Sequence, residues 1–236
     1  FVSFVSFVSF VSFVSFVLVF LFMFSSFGSD FDRNFINFTR MADSRTSLEP
    51  DKFYHIYNHA VGNERLFKSD SNYRFFLKKL KENLQNYIDI YAYCLMPNHY
   101  HLLVKIIPET DILENSRITE KNKKVSVDFV PNLLSRKFGN VFNSYAQAYN
   151  KQNNRKGSLF YNRYKREHIS TEAYLRKIIV YLHLNPVAAE IATKPEEWTF
   201  SSYNSILSKS STLLKRKEVI ELFDDIDNFK YCHLKP

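Results

Sequence analysis

The sequence predicts an α+β fold of the ferredoxin-like split βαβ type, an antiparallel sheet with helices on one face and a further helix that follows. Segments rich in aromatic or β-branched residues alternate with segments whose apolar residues recur every three or four positions, in the order β-α-β-β-α-β-α. The second and third strands are separated only by Met96–Asn98, which favours an antiparallel pair. This order is typical of the split βαβ sheet.

The individual elements are predicted from the same patterns. Strands are expected at 53–60, 88–95, 99–107 and 160–169, and helices at 70–87, 130–150, from Ser170 or Thr171 to Leu184, and at 216–223. The helix ending at Leu184 is expected to stop before Pro186, because proline lacks the backbone N–H that a helix interior needs. Residues 108–128 are polar and charged and predict a surface insertion, and 153–157 form a basic loop.

Composition and charge restrict the classes of function. The 236 residues include 32 Lys+Arg and 24 Asp+Glu, a net charge of +8 that favours an acidic partner such as nucleic acid. Only 4 Gly and 7 Pro exclude collagen-like and proline-rich architectures. The two cysteines, Cys94 and Cys232, exclude a disulfide scaffold and a cysteine-rich zinc module, and free thiols favour a cytoplasmic protein.

Residues 1–40 differ from the rest of the chain. Residues 1–17 repeat the triplet Phe-Val-Ser, and 18–24 are wholly apolar. We expect a translated nucleotide repeat upstream of a start at Met41, outside the native fold. A membrane anchor is the alternative, since about 20 apolar residues can span a bilayer, but serine recurs every third residue and no basic residue precedes the segment. The predicted domain is then 41–208, with its core at 53–203, followed by a helical tail at 209–236.

Two groups of residues carry chemical information. His99 and His101 lie two positions apart on a predicted strand and therefore project from one face, where two imidazoles suit a divalent metal that also needs oxygen ligands. On the predicted helix from 171 to 184, Lys177 and Tyr181 lie one turn apart, and Asn185 follows one turn later. Lys177 could favour the phenolate or hold a phosphate oxygen, and Asn185 could offer its carbonyl oxygen to a metal. Taken singly, each group also fits an ordinary role, as polar residues on a solvated strand face or as a packed tyrosine.

Together these motifs resemble a known family. The segments 96–104 (MPNHYHLLV), 181–186 (YLHLNP) and 198–203 (WTFSSY) are similar to the single-tyrosine HUH transposases, and most of all to the REP-associated tyrosine transposases. The resemblance covers 53–203. It implies that His99, His101 and Asn185 bind a divalent cation, Mg²⁺ or Mn²⁺, and that Tyr181 is the nucleophile.

The resemblance also implies a function. The protein would be a bacterial enzyme of DNA transposition that cuts and rejoins single-stranded or hairpin DNA through a 5′-phosphotyrosine, with a homodimer as the expected assembly and no small-molecule cofactor or membrane partner. A domesticated hairpin-DNA-binding protein without activity and a metal-dependent hydrolase that uses the two histidines are the alternatives. A covalent protein–DNA adduct would distinguish the transposase from both.

DNA binding would need further residues. Basic side chains lie on and after the second predicted helix and along the fourth predicted strand. Tyr161 and Tyr164 are interleaved with those of the strand and could stack on bases. An ordinary solvated basic face is the equally weighted alternative. The remaining histidines, His55, His59, His168 and His183, are predicted to be packing or surface residues. The candidates for DNA binding are Lys177, Arg136, Lys137, Arg155, Lys156, Arg163, Tyr164, Lys165 and Arg166.

Overall fold

The computed structural model of the chain describes residues 46–116 and 128–234, and it contains one four-stranded sheet within them. The strands are β1 (Phe53–His59), β2 (Ile88–Met96), β3 (His99–Ile106) and β4 (Lys165–Ile169). Their order across the sheet is β2-β3-β1-β4, and every neighbouring pair is antiparallel. The predicted α+β fold with a split βαβ sheet is confirmed.

The helices follow the predicted order. In chain order they are α1 (Asp70–Leu84), α2 (Glu109–Asn115), α3 (Phe129–Gln152), α4 (Glu172–Ala188), α5 (Tyr203–Leu207), α6 (Arg216–Glu221) and α7 (Ile226–Leu234), with a 3₁₀ turn at Pro195–Glu197.

The two faces of the sheet carry different residues because side chains alternate along each strand. On β3, Tyr100, Leu102 and Val104 point into the main apolar core. Helices α1 and α3 pack against each other over this core and cover that face. His99 and His101 therefore face the opposite side, where α4 contacts β2 and β3.

Helix α4 is longer than predicted. It begins after Thr171, whose Oγ1 accepts a hydrogen bond from the N–H of Tyr174 (3.2 Å), and it continues through Pro186 to Ala188. The expected stop before Pro186 is wrong. Proline removes one backbone hydrogen bond, but the segment around it is buried, and this packing holds the last turn in helical form. As a consequence, Asn185 is part of the helix one turn after Tyr181.

Three other segments differ in their bounds or their number of helices from the prediction. The fourth strand begins at Lys165 and not at 160, because 160–164 make only an isolated bridge between Phe160 and Ala60 before the chain bends. The predicted insertion begins with α2, whose Ile112 is fully buried. Residues 117–127 of the insertion lie outside the described part of the chain. The tail forms two helices, α6 and α7, where one was predicted. The repeat at 1–40 also lies outside the described residues, and the domain boundary at 208 stays a prediction.

Candidate metal and nucleophile site

The paired histidines lie at the start of β3. The ring centroids of His99 and His101 are 5.1 Å apart and the rings are nearly perpendicular, at 83°. His101 is buried and His99 is half-buried. Burial lowers the pKa of His99 to about 4 and lowers that of His101 well below its usual range. Both rings are therefore neutral at pH 7, which is the form that binds a metal.

Helix α4 brings the other two predicted site residues to this pair. The ring centroid of Tyr181 lies 5.5 Å from that of His101, and the Oδ1 atom of Asn185 lies 3.1 Å from the Nε2 atom of His99. The i, i+4 spacing on α4 places Tyr181 and Asn185 on one side of the helix. The four residues thus converge across 86 positions of sequence, from His99 to Asn185.

Both ring nitrogens of His99 contact amide oxygens. The Nδ1 atom lies 2.7 Å from the Oδ1 atom of Asn98, and the Nε2 atom lies 3.1 Å from the Oδ1 atom of Asn185. A neutral imidazole carries one N–H, so it donates to one of these two oxygens at a time. If the N–H is on Nδ1, the Nε2 atom of His99 and the Oδ1 atom of Asn185 are the two ligands that this part of the site would offer to a divalent cation.

The residue types present fit Mg²⁺ or Mn²⁺. Among residues 46–116 and 128–234, no three His, Cys, Asp or Glu side chains are grouped so that they could hold a metal ion. The third protein ligand beside His99 and His101 would be the amide oxygen of Asn185, which lies 3.1 Å from the Nε2 atom of His99. Two imidazoles and one amide do not complete a four-ligand structural zinc site, and they leave positions for water or substrate.

His55 on β1 contacts His101, a contact that the sequence did not indicate. It is fully buried, as expected for a packing residue, and its Nε2 atom lies 2.9 Å from the Nδ1 atom of His101. Burial lowers the pKa of His55 to about 3, so this ring is also neutral. If the Nδ1–H of His101 donates to His55, the Nε2 atom of His101 is free to bind a metal. The period-two pattern of His55, Tyr57 and His59 on a strand was the available signal.

Tyr181 lies in a group of buried and half-buried polar side chains. Burial raises its pKa, as do the nearby Tyr57 and Glu167, while a hydrogen bond with Asn185 lowers it. The net change is upward, so the phenol is protonated in the free protein at neutral pH. Glu167 on β4 accepts a hydrogen bond from the hydroxyl of Tyr174 (2.8 Å), and burial raises the pKa of Glu167 to about 7.

Residues of the third motif, 198–203, form hydrogen bonds with α4 and β2. His233 on α7 donates its Nδ1–H to the carbonyl oxygen of Phe229 (2.7 Å), so its Nε2 accepts from the Nδ1–H of His183 (2.9 Å). The Nε2 atom of His183 then accepts from the hydroxyl of Ser202 (2.7 Å). In the same motif, the indole of Trp198 donates to the carbonyl oxygen of Leu95 on β2 (3.0 Å). His183 is thus a buried structural residue, as predicted.

Several of the predicted DNA-binding residues have structural partners. Tyr164 is only 7% exposed, with its ring among core aromatics, so the prediction that it stacks on bases is wrong. Arg155 is held by two short hydrogen bonds to the carboxylate of Glu64 (2.6 and 2.7 Å). Arg166 donates to the carbonyl oxygen of Thr46 and to the hydroxyl of Ser135, both at 3.0 Å. These arginines stabilise loops and are not available as simple phosphate ligands.

The other basic candidates are more accessible. Lys137 is half-buried, with its ammonium group 4.5 Å from the ring centroid of Tyr87. Lys165 pairs across β4 and β1 with Tyr57, which pairs with His101 on β3, so Lys165 and His101 lie on one face of the sheet. Lys177 lies on α4, one turn before Tyr181. The candidates whose side chains are exposed are Lys177, Arg136, Lys156, Arg163 and Lys165.

Comparison with known proteins supports the fold. Protein-family models and curated protein sequences give no match. Among solved structures, the chain matches a REP-associated tyrosine transposase bound to a REP hairpin, with a TM-score of 0.53 and 12% sequence identity. The match covers 74% of this chain and 94% of that one. Within the described residues, no helix has the length and apolar character needed to cross a membrane. The chain therefore has the fold of this tyrosine transposase, which agrees with the resemblance seen in its motifs.

Proposed function

We propose that this protein is a metal-dependent DNA transposase, a single-strand endonuclease and ligase whose nucleophile is Tyr181. The observation that supports the proposal most directly is the convergence of Tyr181 and Asn185 on α4 with His99 and His101 on β3. A packed tyrosine without a role would not need two neutral imidazoles and an amide oxygen beside it. The shared fold adds support, since the similar structure is that of a tyrosine transposase.

His99, His101 and Asn185 would hold the cation. When bound, a divalent cation neutralises negative charge on the phosphate and makes phosphorus easier to attack. The protein keeps both imidazoles neutral by burial, and it orients them through Asn98 and His55. These contacts would fix which ring nitrogens face the site before any substrate arrives.

Tyr181 would carry out the covalent step. Its phenol loses a proton, the oxygen forms a bond to phosphorus, and the bond from phosphorus to the 3′-oxygen breaks. The departing 3′-oxygen takes up a proton, which balances the one lost by the phenol. The products are a 5′-phosphotyrosine and a free 3′-hydroxyl. Attack by another 3′-hydroxyl reverses the step and joins new ends without ATP.

The substrate would be single-stranded or hairpin DNA. The similar transposase is described as bound to a REP hairpin, and the net charge of +8 suits a polyanion. Exposed Lys165 shares the sheet face of His101, and exposed Lys177 precedes Tyr181 by one turn, so both could contact phosphates that flank the scissile one.

The proposal is tested by trapping the covalent intermediate. Protein from Met41 onward is incubated with single-stranded oligonucleotides that carry hairpins from the DNA flanking the gene, with Mg²⁺ or Mn²⁺, and separated on a denaturing gel. We expect a slow protein–DNA adduct that is lost with chelator and in Tyr181→Phe. Tyr231→Phe is the matched control, because this exposed tyrosine lies on α7 and should leave the adduct in place.

The other outcomes identify the alternatives. Tight hairpin binding without an adduct from any flank would indicate a non-catalytic binding protein. Metal-dependent cleavage that survives Tyr181→Phe would indicate a hydrolase that uses the histidines without a tyrosine nucleophile. Either result would refute the proposed role of Tyr181.

A further inference from the structure

An exposed aromatic stack lies at the edge of the candidate site. His59 is the last residue of β1 and pairs with His99, and strand alternation places both on the face that carries His101. Directly paired residues on one face have Cβ atoms about 5 Å apart. The ring of Tyr161 stacks on that of His59, with centroids 4.8 Å apart and an angle of 20° between the planes.

Hydrogen bonds to the end of β1 hold this stack in place. The N–H of Tyr161 donates to the carbonyl oxygen of His59 (3.0 Å), and the side-chain amide of Asn58 donates to the carbonyl oxygen of Asn162 (2.9 Å). The Nδ1 atom of His59 lies 2.8 Å from the carbonyl oxygen of Ala60, to which its N–H donates. The loop that carries Tyr161 is therefore attached to the same strand that supports the metal site.

One face of Tyr161 is available to a ligand. The residue is 59% exposed although its other face lies on His59. A ring that is already ordered loses little conformational freedom when a second planar group stacks on it. Base–aromatic stacking accepts every base, because each base has a π-face. Bases inside a duplex already have both faces covered, so a single exposed ring favours an unpaired base.

We propose that His59 and Tyr161 form a platform on which one unpaired nucleobase stacks, beside the phosphate that Tyr181 attacks. This inference rests on the proposed function and names a contact for its substrate. Because the platform begins next to His99, the stacked base belongs to a nucleotide adjacent to the scissile phosphate. The platform would hold the single strand in line with the site and would contribute little to the binding of paired DNA.

The test measures binding without cleavage. A fluorescein-labelled, mixed-sequence single strand of 20 nucleotides and the matching blunt duplex are titrated with full-length protein in EDTA, and fluorescence anisotropy is recorded. We expect Tyr161→Ala to weaken single-strand binding by about 5- to 150-fold and duplex binding by less than two-fold. Tyr161→Phe keeps the ring and should stay within two-fold of wild type. Tyr231→Ala, at a tyrosine of similar exposure on α7, is the matched control.

The outcomes separate the platform from the function on which it rests. If the wild type binds the single strand and Tyr161→Ala binds it equally well, the platform is refuted while DNA binding stands. If Tyr161→Ala loses affinity for the single strand and the duplex to the same extent, the contact is not base stacking and the inference also fails. If the wild type binds neither DNA, the platform is refuted, and the adduct assay on flanking hairpins decides the proposed function separately.

Discussion

Replacing His55 with leucine should weaken metal binding, although His55 would not itself touch the metal. The Nε2 atom of His55 lies 2.9 Å from the Nδ1 atom of His101, and both side chains are buried. Leucine leaves the Nδ1–H of His101 buried without an acceptor, which costs about 1–3 kcal/mol. His101 can avoid this cost by moving its proton to Nε2, which is the nitrogen that would bind the cation.

The magnitude follows from the competition between these two tautomers. Loss of a partner that orients a metal-binding histidine typically lowers metal affinity by about 10- to 100-fold. That range corresponds to about 1.4–2.8 kcal/mol, close to the cost of the unpaired N–H. We therefore expect the Kd for Mn²⁺ to rise by one to two orders of magnitude in His55→Leu.

The assay is titration of Mn²⁺ followed by electron paramagnetic resonance of the free ion. His55→Gln is the matched variant, because its amide oxygen can accept the His101 N–H and should recover part of the affinity. His99→Ala should lose most binding and shows that the measured ion occupies this site. Folding of each variant is checked by circular dichroism.

Two results would refute the reasoning. One is a folded His55→Leu protein that binds Mn²⁺ within two-fold of the wild type. The other needs no variant: ¹⁵N chemical shifts of the wild-type protein should show His101 protonated at Nδ1, and protonation at Nε2 would contradict the assigned hydrogen bond.

Three further predictions concern stability and binding. Burial lowers the pKa of His233 to about 4 and lowers that of His183, so below pH 6.5 the unfolded chain binds more protons than the native one. The contribution of His233 to the free energy of unfolding is fully present above about pH 7 and should fall by about 2 kcal/mol by pH 5, and His183 and the other buried histidines change it in the same direction. Urea titrations at both pH values check this, and an unchanged midpoint would contradict it. Phe138→Ala removes a fully buried ring and should cost about 3–5 kcal/mol in the same titration, whereas a loss below about 1 kcal/mol would mean that the core closes around the gap. Lys165→Ala should weaken DNA binding for all sequences alike and reduce the salt dependence by about one phosphate contact, with Lys217→Ala on α6 as the exposed control. Equal salt slopes for Lys165→Ala and wild type would remove Lys165 from the interface.

Local patterns predicted the fold class, which the structure confirms, and the residues of the candidate site. Alternation along β3 places His99 and His101 on one face and Tyr100 on the other, and the helical spacing of Tyr181 and Asn185 places them one turn apart. Both relations depend on the geometry of one element and can therefore be read along the chain. The spacing alone did not show that the helix and the strand meet.

Tertiary structure decided everything that depends on contacts between distant segments. His55 lies 46 positions from His101 and acquires its partner only because β1 pairs with β3. Tyr164 is buried in the apolar core, where α3 covers it, and it is therefore not accessible to DNA. Helix α4 continues through Pro186 because burial compensates for the lost hydrogen bond. In each case a free energy from packing or pairing outweighs the local preference, and that free energy exists only once the sheet and its two covering layers have assembled.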